Sequence, residues 1–350
     1  MSILSVDSIS VEYQTLSDAV RAVQGVSLNL KEAQILGLAG ESGCGKSTLA
    51  KAILRLLPET GIVVSGKINF KGKDLLRLST SEFRELRWQI LAYIPQNALN
   101  SLDPVYRVGD QVVEAILAHE RVSRNAALDR ARQLFSNVHL DERSLRAYPH
   151  QLSGGMRQRV LIAMAMALDP PIVIIDEPTT ALDVVTQAQV LSELISMRNR
   201  TSSGMLYISH DLGAIRQLCN DVAVMYAGLI IETGNVGDIY GEPLHPYTMG
   251  LLNSVPKSRG AKRLVSIPGA PPNLRSEIQG CAFHPRCPFR DTRCVKETPK
   301  LYEISQTRSV ACHYHHKAKN FRILAEDPNI WQMPEPREAV MSDFKEDIVP

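Results

Sequence analysis

The sequence lacks any long apolar run. Its longest uninterrupted stretch of apolar residues, Val160–Leu168, has nine members, whereas a helix that spans a bilayer needs about 20. The N-terminal residues also lack a basic segment followed by an apolar one, which a secretory signal would require. We therefore expect a chain that does not span the membrane and that remains in the cytosol.

The chain also lacks an excess of charge of either sign. It carries 39 Lys and Arg against 37 Asp and Glu, for a formal net charge of +2. Composition therefore gives no reason to expect nucleic acid as a partner. What the chain does contain is a 44% share of hydrophobic residues over 350 positions. That share is enough for sizeable cores, and the length suggests about two domains.

Hydrophobic periodicity divides most of the chain into α/β segments around a helical insertion. Residues 1–30 alternate polar and apolar positions, which predicts short antiparallel strands, and Ile35–Ala39 is typical of a buried strand. The helical spacing that follows predicts an amphipathic helix ended by Pro58. The pattern becomes helical and more charged from about residue 97, and a second α/β stretch closes with a hairpin turn at Ala227-Gly228.

A glycine-rich segment, GESGCGKS, follows the first buried strand and fits the pattern G-x-x-x-x-G-K-[ST]. Glycines let the backbone curl so that its N–H groups and the next helix N-terminus point at an anion. We expect Lys46 to reach the β and γ phosphates of a nucleotide and Ser47 to bind magnesium. The other residues expected to hold the phosphates are Gly40, Ser42, Gly43, Gly45 and Thr48.

Two carboxylates end the buried strand Ile172–Ile175. Ligands of open α/β sheets bind at the carboxyl ends of the strands, which is where Asp176 and Glu177 would lie. We expect Asp176 to join the magnesium shell, and Glu177 to orient and polarise the attacking water as the catalytic base. With the glycine-rich loop, these carboxylates predict nucleoside triphosphate hydrolysis, in which positioning and electrostatics do most of the work.

A third motif, LSGGMRQR at residues 152–159, separates this chain from other phosphate-loop proteins. It places an N-cap serine and two glycines at the start of a helix, which makes a second anion site without a lysine of its own. The motif resembles the signature of ABC ATPases, although Met156 stands where that family usually has Gln. The resemblance implies that Ser153, Gly154 and Gly155 close over the ATP held by a partner subunit.

Four further positions resemble elements of the same family, in the family's order. The resemblance implies that Gln96 senses the γ-phosphate at the magnesium site, and that residues 96–104 receive a coupling helix from a membrane subunit. It implies that Asp183, in Ala181-Leu182-Asp183, lies at a dimer interface next to the nucleotide. It also implies that His210 contacts the γ-phosphate and acts in catalysis, and that Tyr13 stacks on adenine.

Four of the six cysteines fall in the C-terminal third of the chain. In a reducing compartment they are more typical of thiols or metal ligands than of disulfides. Their gaps lack the C-x₂₋₄-C spacing of a zinc knuckle, whereas iron–sulfur clusters accept more varied spacing. The spacing therefore leaves a cluster, zinc and free thiols as alternatives for Cys281, Cys287, Cys294 and Cys312.

These cysteines, with the preceding HPYT at residues 245–248, resemble the C-terminal extension of ATP-binding subunits of oligopeptide and dipeptide ABC importers. Some members carry a [4Fe–4S] cluster in this extension, which favours the cluster over zinc. The implied fold is α/β: a P-loop ABC ATPase cassette with a RecA-like core, an antiparallel β subdomain and an inserted helical subdomain, then an irregular extension. The expected ranges are 1–239 for the cassette, about 97–165 for the helical subdomain, 240–323 for the extension and 324–350 for a flexible tail.

The resemblance implies a peripheral ATPase subunit on the cytoplasmic face of a prokaryotic cell membrane. Its cofactors would be ATP and magnesium, and its importer would carry peptides or a related solute such as nickel, glutathione or an oligosaccharide. The implied partners are a second ABC ATPase subunit, identical or paralogous, two transmembrane permease subunits and an extracytoplasmic solute-binding protein, with no nucleic acid. The alternative is a soluble ABC ATPase coupled to nucleic acid or the ribosome. Those proteins generally carry two cassettes or coiled-coil insertions, and this sequence has neither. A second alternative is a P-loop kinase that transfers phosphate to a small acceptor, but it would leave residues 152–156 and His210 unexplained.

Overall fold

The computed structural model describes residues 2–16, 18–96, 101–180, 182–255 and 264–332. Two sequence predictions fall partly outside these ranges: residues 97–100 of the expected coupling surface, and Ala181 of the expected dimer-interface segment. The strands are β1 (Ser2–Gln14), β2 (Ala19–Lys31), β3 (Ile35–Ala39), β4 (Gly61–Phe70), β5 (Lys73–Asp74), β6 (Leu91–Ile94), β7 (Ile172–Asp176), β8 (Gly204–Ser209), β9 (Asp221–Tyr226), β10 (Leu229–Asn235), β11 (Tyr302–Ser305) and β12 (Arg308–Val310).

The helices flank the sheets and fill the region between β6 and β7. Within the described ranges no helix combines the length and the apolar character that crossing a bilayer requires. The α-helices are α1 (Lys46–Ile53), α2 (Thr80–Leu86), α3 (Val108–Leu117), α4 (Arg124–Asn137), α5 (Gly154–Ala165), α6 (Val184–Arg200), α7 (Leu212–Leu218), α8 (Val236–Gly241), α9 (Pro246–Asn253), α10 (Thr292–Lys296) and α11 (Ala318–Ala325).

The N-terminal segment forms an antiparallel sheet in the order β2-β1-β4-β5. The alternating pattern of residues 1–30 is confirmed, but β1 and β2 have 13 residues each and are long rather than short. The buried face carries Leu4, Val6, Ile9 and Val11, and it packs on the same apolar cluster as α1. This sheet therefore covers one side of the element that begins directly after the glycine-rich loop.

The larger sheet has the order β11-β12-β10-β9-β3-β8-β7-β6. Strands β9, β3, β8, β7 and β6 are parallel neighbours, and every residue of β3, β7 and β8 is buried. Continuous apolar strands of this kind are typical of a parallel sheet covered on both faces. Because the carboxyl ends of β3, β6, β7 and β8 share one edge, the residues that follow these strands meet there.

Two predictions about helices were wrong. Helix α1 ends at Ile53 rather than at Pro58, because Arg55 adopts a left-handed conformation (φ +49°) and Leu56 is exposed. The stretch from residue 240 was predicted to be irregular but contains α9. Pro246 is the first residue of this helix, where the backbone N–H that proline lacks would have no acceptor within the helix. The predicted hairpin turn is confirmed: Ala227 and Gly228, both at positive φ, join β9 to β10.

The C-terminal part of the chain packs on the core. Strand β12 pairs with β10 and so extends the larger sheet. The predicted flexible tail from residue 324 is corrected, because α11 continues to Ala325 and Trp331 is only 1% exposed, with its indole N–H donating to the Ala325 carbonyl at 3.0 Å. Residues 333–350 lie outside the described ranges.

Candidate functional site

The glycine-rich loop connects β3 to α1 through backbone that only glycine accommodates. Gly40 and Gly45 have φ values of +153° and +108°. A Cβ at Gly40 would lie 2.3 Å from the Met225 carbonyl oxygen, and one at Gly45 would lie 2.2 Å from the Ala22 carbonyl oxygen. These close approaches hold a curled loop against β9 and β2, with the N-terminus of α1 at its end. A curled loop of this kind presents N–H groups to an anion.

Lys46 is 3% exposed and is held inside the loop. Its Nζ donates to the carbonyl oxygens of Gly40 and Glu41, at 2.8 Å each. The ammonium group therefore lies inside the glycine-rich loop, where the phosphates of a nucleotide are expected to bind. Next to it, the Tyr13 hydroxyl lies 3.2 Å from Thr48 Oγ1, so the residue expected to stack on adenine borders the start of α1.

Ser47 and Asp176, the two residues expected at the magnesium site, lie side by side. Ser47 Oγ donates to Asp176 Oδ1 at 3.0 Å, and the Tyr93 hydroxyl lies 3.3 Å from Asp176 Oδ2. Burial raises the pKa of Asp176, and the two hydroxyl donors oppose that effect. A hydroxyl and a carboxylate are the oxygen ligands that Mg²⁺ prefers, so this donor set fits the ion.

Glu177 is the point at which three predicted elements meet. Its Oε2 accepts hydrogen bonds from Gln96 Nε2 at 2.9 Å and from Thr180 Oγ1 at 3.0 Å, and His210 Nδ1 lies 3.3 Å away. Glu177 is 9% exposed and has φ +45°, an uncommon conformation for a residue with a side chain. Strain of this sort persists where surrounding contacts fix the residue. Here they aim the carboxylate at the edge where β6, β7 and β8 end.

The signature motif starts a helix but makes no hydrogen bond with the glycine-rich loop in the described part of the chain. Ser153 is exposed and caps α5, accepting from the Met156 N–H at 3.2 Å. Gly155 is buried against α6: a Cβ there would lie 2.2 Å from Thr186 Cγ2. Asp183 caps α6, and the hydrogen bonds from Thr186 lower the pKa of Asp183. The predicted signature and dimer-interface segments therefore pack on each other.

All four C-terminal cysteines line one small cavity, together with Phe283 and His313. None of the four forms a disulfide. Burial raises the pKa of each thiol, to about 12 for Cys294 and Cys312, and the neighbouring thiols raise the pKa of Cys287 further. Among the described residues, no three His, Cys, Asp or Glu side chains are arranged to hold a metal ion.

His313 adds a polar atom to this cavity that the sequence did not assign. It is 7% exposed and is therefore buried. Its Nε2 lies 2.9 Å from the Glu297 carbonyl oxygen and therefore donates to it. Its Nδ1 is buried and has no hydrogen-bond partner within the described ranges. The thiol-lined cavity is thus also lined by a histidine with one ring nitrogen that has no hydrogen-bond partner among the described residues.

Sequence reasoning missed the residues that hold Glu41, the second residue of the glycine-rich loop. Arg286 pairs with the Glu41 carboxylate at 2.8 Å, and the Glu41 backbone N–H donates to the Tyr247 hydroxyl at 2.9 Å. Tyr247 belongs to the HPYT segment at residues 245–248 that the sequence singled out, and Arg286 lies in the segment directly before Cys287. No periodicity or spacing links either segment to residue 41.

Two family models match the chain. The model described as ABC transporter matches residues 23–180, and the model described as oligopeptide/dipeptide transporter, C-terminal region, matches residues 231–294. The first match contains the glycine-rich loop, the signature motif and the Asp176-Glu177 pair. The second contains Tyr247, Arg286 and three of the four clustered cysteines.

Curated relatives are similar over most of their length. A probable peptide ABC transporter ATP-binding protein of Sinorhizobium fredii is 45% identical over 315 residues, which are 89% of this chain and 94% of that protein. The dipeptide transport ATP-binding protein DppD of Escherichia coli is 40% identical over 317 residues, or 90% and 97% of the two chains. Among solved structures, a dimeric post-hydrolysis state of the ATP-binding cassette MJ0796 bound to ADP and Pi matches with a TM-score of 0.61 at 25% identity. It covers 67% of this chain and 98% of that one.

Proposed function

The chain belongs to the family of ABC transporter ATP-binding proteins, and from that premise we propose that it hydrolyses ATP to energise an importer of peptides. The observation that carries the proposal is the arrangement at one sheet edge. Ser47 and Asp176 are 3.0 Å apart, and Gln96, Thr180 and His210 surround one oxygen of the adjacent Glu177. That arrangement has separate positions for a metal-bound triphosphate and for an attacking water.

In the proposed mechanism, the N–H groups of residues 40–48 and the ammonium of Lys46 bind the phosphates, and Tyr13 packs on the adenine. Ser47, Asp176 and Gln96 would hold magnesium, which neutralises charge on the β- and γ-phosphates. Glu177 orients and polarises the water that attacks the γ-phosphorus, and His210 binds a γ-phosphate oxygen. Most of the rate acceleration then comes from positioning and electrostatic stabilisation.

The signature residues act on the nucleotide of a partner subunit. Ser153 is exposed at the start of α5 and makes no hydrogen bond with the glycine-rich loop of its own chain within the described ranges. Its helix N-terminus is available to an anion from outside the chain. We propose that Ser153, Gly154 and Gly155 cover the γ-phosphate bound by the second ATPase subunit, with Asp183 at the same interface. Two ATP molecules would then be enclosed between two subunits.

The remaining partners follow from the relatives' names and from what an importer must contain. Two transmembrane permease subunits would form the pore, an extracytoplasmic binding protein would deliver the peptide, and this chain would lie on the cytoplasmic face of the cell membrane. Domains are proposed at 1–239 for the cassette and from 240 for the extension. The names of the similar proteins, peptide and dipeptide transport ATP-binding proteins, favour peptides over nickel, glutathione or oligosaccharides.

The function is tested with the chain assembled with a second ATPase subunit, two permease subunits and a solute-binding protein in lipid nanodiscs. We expect ATP hydrolysis to rise several-fold when binding protein loaded with a mixture of di- to pentapeptides is added. Binding protein given nickel, glutathione or an oligosaccharide is the control and should give no rise. Stimulation by DNA, RNA or ribosomes in place of the membrane subunits would instead contradict the transport function.

We propose further that Cys281, Cys287, Cys294 and Cys312 hold a [4Fe–4S] cluster. The donor set fits: four thiols without disulfides line one cavity, and the buried Nδ1 of His313 has no hydrogen-bond partner in the described part of the chain. A single zinc ion would draw its four sulfurs to within about 4 Å of one another, since Zn–S bonds are about 2.3 Å long. In a [4Fe–4S] cluster each of the four thiolates binds a different iron, so the sulfurs lie farther apart than they do around a single zinc ion.

Metal analysis tests this proposal. Protein purified without oxygen should contain about four iron and four sulfide per chain and absorb near 400 nm, because four thiolates complete a [4Fe–4S] unit. Cys294→Ser should remove most of the iron and the absorbance, whereas Cys219→Ser, in a buried cysteine outside the cavity, should leave both unchanged. One zinc per chain without visible absorbance would contradict the cluster.

A further inference from the structure

A partly buried ion pair joins the C-terminal extension to the phosphate-binding loop. Arg286 Nη1 lies 2.8 Å from Glu41 Oε2, and Arg286 Nη2 lies 3.1 Å from Glu41 Oε1. The two terminal nitrogens of the guanidinium therefore each bind one oxygen of the carboxylate, the bidentate geometry in which arginine binds a carboxylate most strongly. The two residues are 245 positions apart in the chain. The contact thus ties the extension to the second residue of the glycine-rich loop.

Arg286 is fixed by groups other than Glu41. Its Nε donates to the Pro268 carbonyl oxygen at 2.8 Å, and its guanidinium lies 5.8 Å from the centre of the Tyr226 ring. Arg286 is 7% exposed. These contacts orient the guanidinium independently of Glu41. The ion pair therefore restrains the position of the glycine-rich loop rather than that of Arg286. A lysine would keep the charge but lose the fork that these contacts orient.

A second side chain from the same part of the molecule holds the backbone of Glu41. The Glu41 N–H donates to the Tyr247 hydroxyl at 2.9 Å, and Tyr247 is fully buried. The Tyr247 ring packs against Tyr226 at 4.6 Å and against Phe283 at 5.3 Å, measured between ring centres. Residue 41 is therefore fixed through both its main chain and its side chain. In a loop that contains three glycines, such external contacts reduce the conformational freedom that nucleotide binding would otherwise have to remove.

The charge of Glu41 gives the pair a second consequence. Glu41 lies within the loop that we propose binds the phosphates, and its own carbonyl accepts a hydrogen bond from Lys46 Nζ. A carboxylate at this position repels a triphosphate, and because the Glu41 side chain is only 25% exposed, its surroundings screen that repulsion less than bulk water does. Arg286 neutralises the carboxylate. Without Arg286, the loop would keep an uncompensated negative charge beside the site of a more negative ligand.

We propose that Arg286 is a positioning residue for ATP binding: through its ion pair with Glu41 it holds the phosphate-binding loop and cancels the charge that would repel the triphosphate. This inference rests on the proposed ATPase function and adds a residue of the C-terminal extension to it. Arg286 also directly precedes Cys287, so the segment that lines the thiol cavity is the one that contacts the loop. The extension therefore contributes to nucleotide affinity as well as to the fold.

The test compares Arg286→Met, Arg286→Lys and the neutral double variant Glu41→Gln/Arg286→Met in the assembled transporter. Arg286→Met should raise the KM for ATP at least tenfold and change kcat less than threefold. The double variant should recover most of that loss, and Arg286→Lys should lie between wild type and Arg286→Met. The Kd measured with a fluorescent analogue should rise more for ATP than for ADP, because the repulsion grows with ligand charge. A purely structural role would not give this difference between nucleotides.

Arg293→Met is the matched control. It removes an arginine of the same extension whose partner, Glu297, is on the surface, at 2.8 Å, so its nucleotide affinity should equal that of wild type. A KM for Arg286→Met within twofold of wild type, or a double variant no better than the single one, would overturn the proposal. If Arg286→Met does not fold, the comparison of Arg286→Lys with the double variant decides, since the latter leaves no unpaired charge. Absence of ATP hydrolysis by the wild-type complex would instead count against the proposed function, because the Kd comparison needs no turnover.

Discussion

Glu177→Gln is expected to lower the kcat for ATP at least 100-fold and to leave ATP affinity within about threefold of wild type. The amide keeps the size of the side chain and can still contact Gln96, Thr180 and His210, which surround Oε2 at 2.9 to 3.3 Å. It loses the negative charge that polarises the attacking water. Removal of a positioned general base typically costs a factor of about 10² to 10⁴. Steady-state hydrolysis by the assembled transporter measures the loss.

The same variant should retain ATP. Because both subunits would remain closed over unhydrolysed nucleotide, radiolabelled ATP should stay bound to Glu177→Gln protein after gel filtration, whereas wild type should release ADP. Glu59→Gln, which changes an exposed glutamate in the turn before β4, is the matched control and should behave as wild type. Turnover by Glu177→Gln at the wild-type rate would contradict the assignment of Glu177 as the residue that activates water.

Gly154→Asp is expected to reduce hydrolysis at least 100-fold while its own glycine-rich loop still binds ATP. A Cβ at Gly154 would lie 3.4 Å from Leu182 Cδ2, an ordinary contact, so the chain has room for the substitution. The new carboxylate would stand at the N-terminus of α5, where we propose that the partner's γ-phosphate binds, and it would repel that phosphate. Gly155 is less suitable for this test, because its Cβ would collide with Thr186 within the same chain.

Hydrolysis and nucleotide binding are measured separately for this variant. The Kd for ATP should stay within about threefold of wild type, since Lys46, Ser47 and Asp176 are unchanged. Gly241→Asp is the matched control: in the described part of the chain no atom lies within 4 Å of a Cβ built at Gly241, at the end of α8, so this variant should hydrolyse ATP at the wild-type rate. Wild-type turnover by Gly154→Asp would show that the signature helix is not part of the catalytic pocket.

The parts of the fold and site that the sequence predicted are those in which adjacent residues carry the information. A buried strand followed by glycines and a lysine predicted the loop between β3 and α1. The two carboxylates after Ile172–Ile175 predicted the far side of the same sheet edge, because neighbouring parallel strands end together. The 3.0 Å contact between Ser47 and Asp176 follows from these two local patterns.

The parts that the sequence did not predict depend on long-range contacts or on single backbone angles. The pair of Glu41 with Arg286 spans 245 positions, and neither residue has a pattern that identifies the other. Helix α1 stops five residues before Pro58 because Arg55 turns left-handed, which apolar spacing does not encode. The docking of Trp331 was also missed, because one buried tryptophan gives no periodic signal.

The cysteine cavity lies between these two cases. The four cysteines were recognisable as a group, but their gaps did not distinguish iron–sulfur from zinc. The structure adds the buried His313. Its Nε2 hydrogen-bonds to the Glu297 carbonyl oxygen, and its Nδ1 has no hydrogen-bond partner in the described ranges. Three-dimensional proximity, not composition, identifies it as part of the cavity.

The central claim is that each nucleotide pocket is built from two chains, with the glycine-rich loop of one and the signature helix of the other. Sedimentation of the Glu177→Gln chain, with the ATPase subunit with which it copurifies, measures this most directly. The account predicts association in magnesium and ATP, dissociation in ADP, and no ATP-dependent association when this chain also carries Gly154→Asp. Association that is independent of nucleotide, or unaffected by Gly154→Asp, would contradict it.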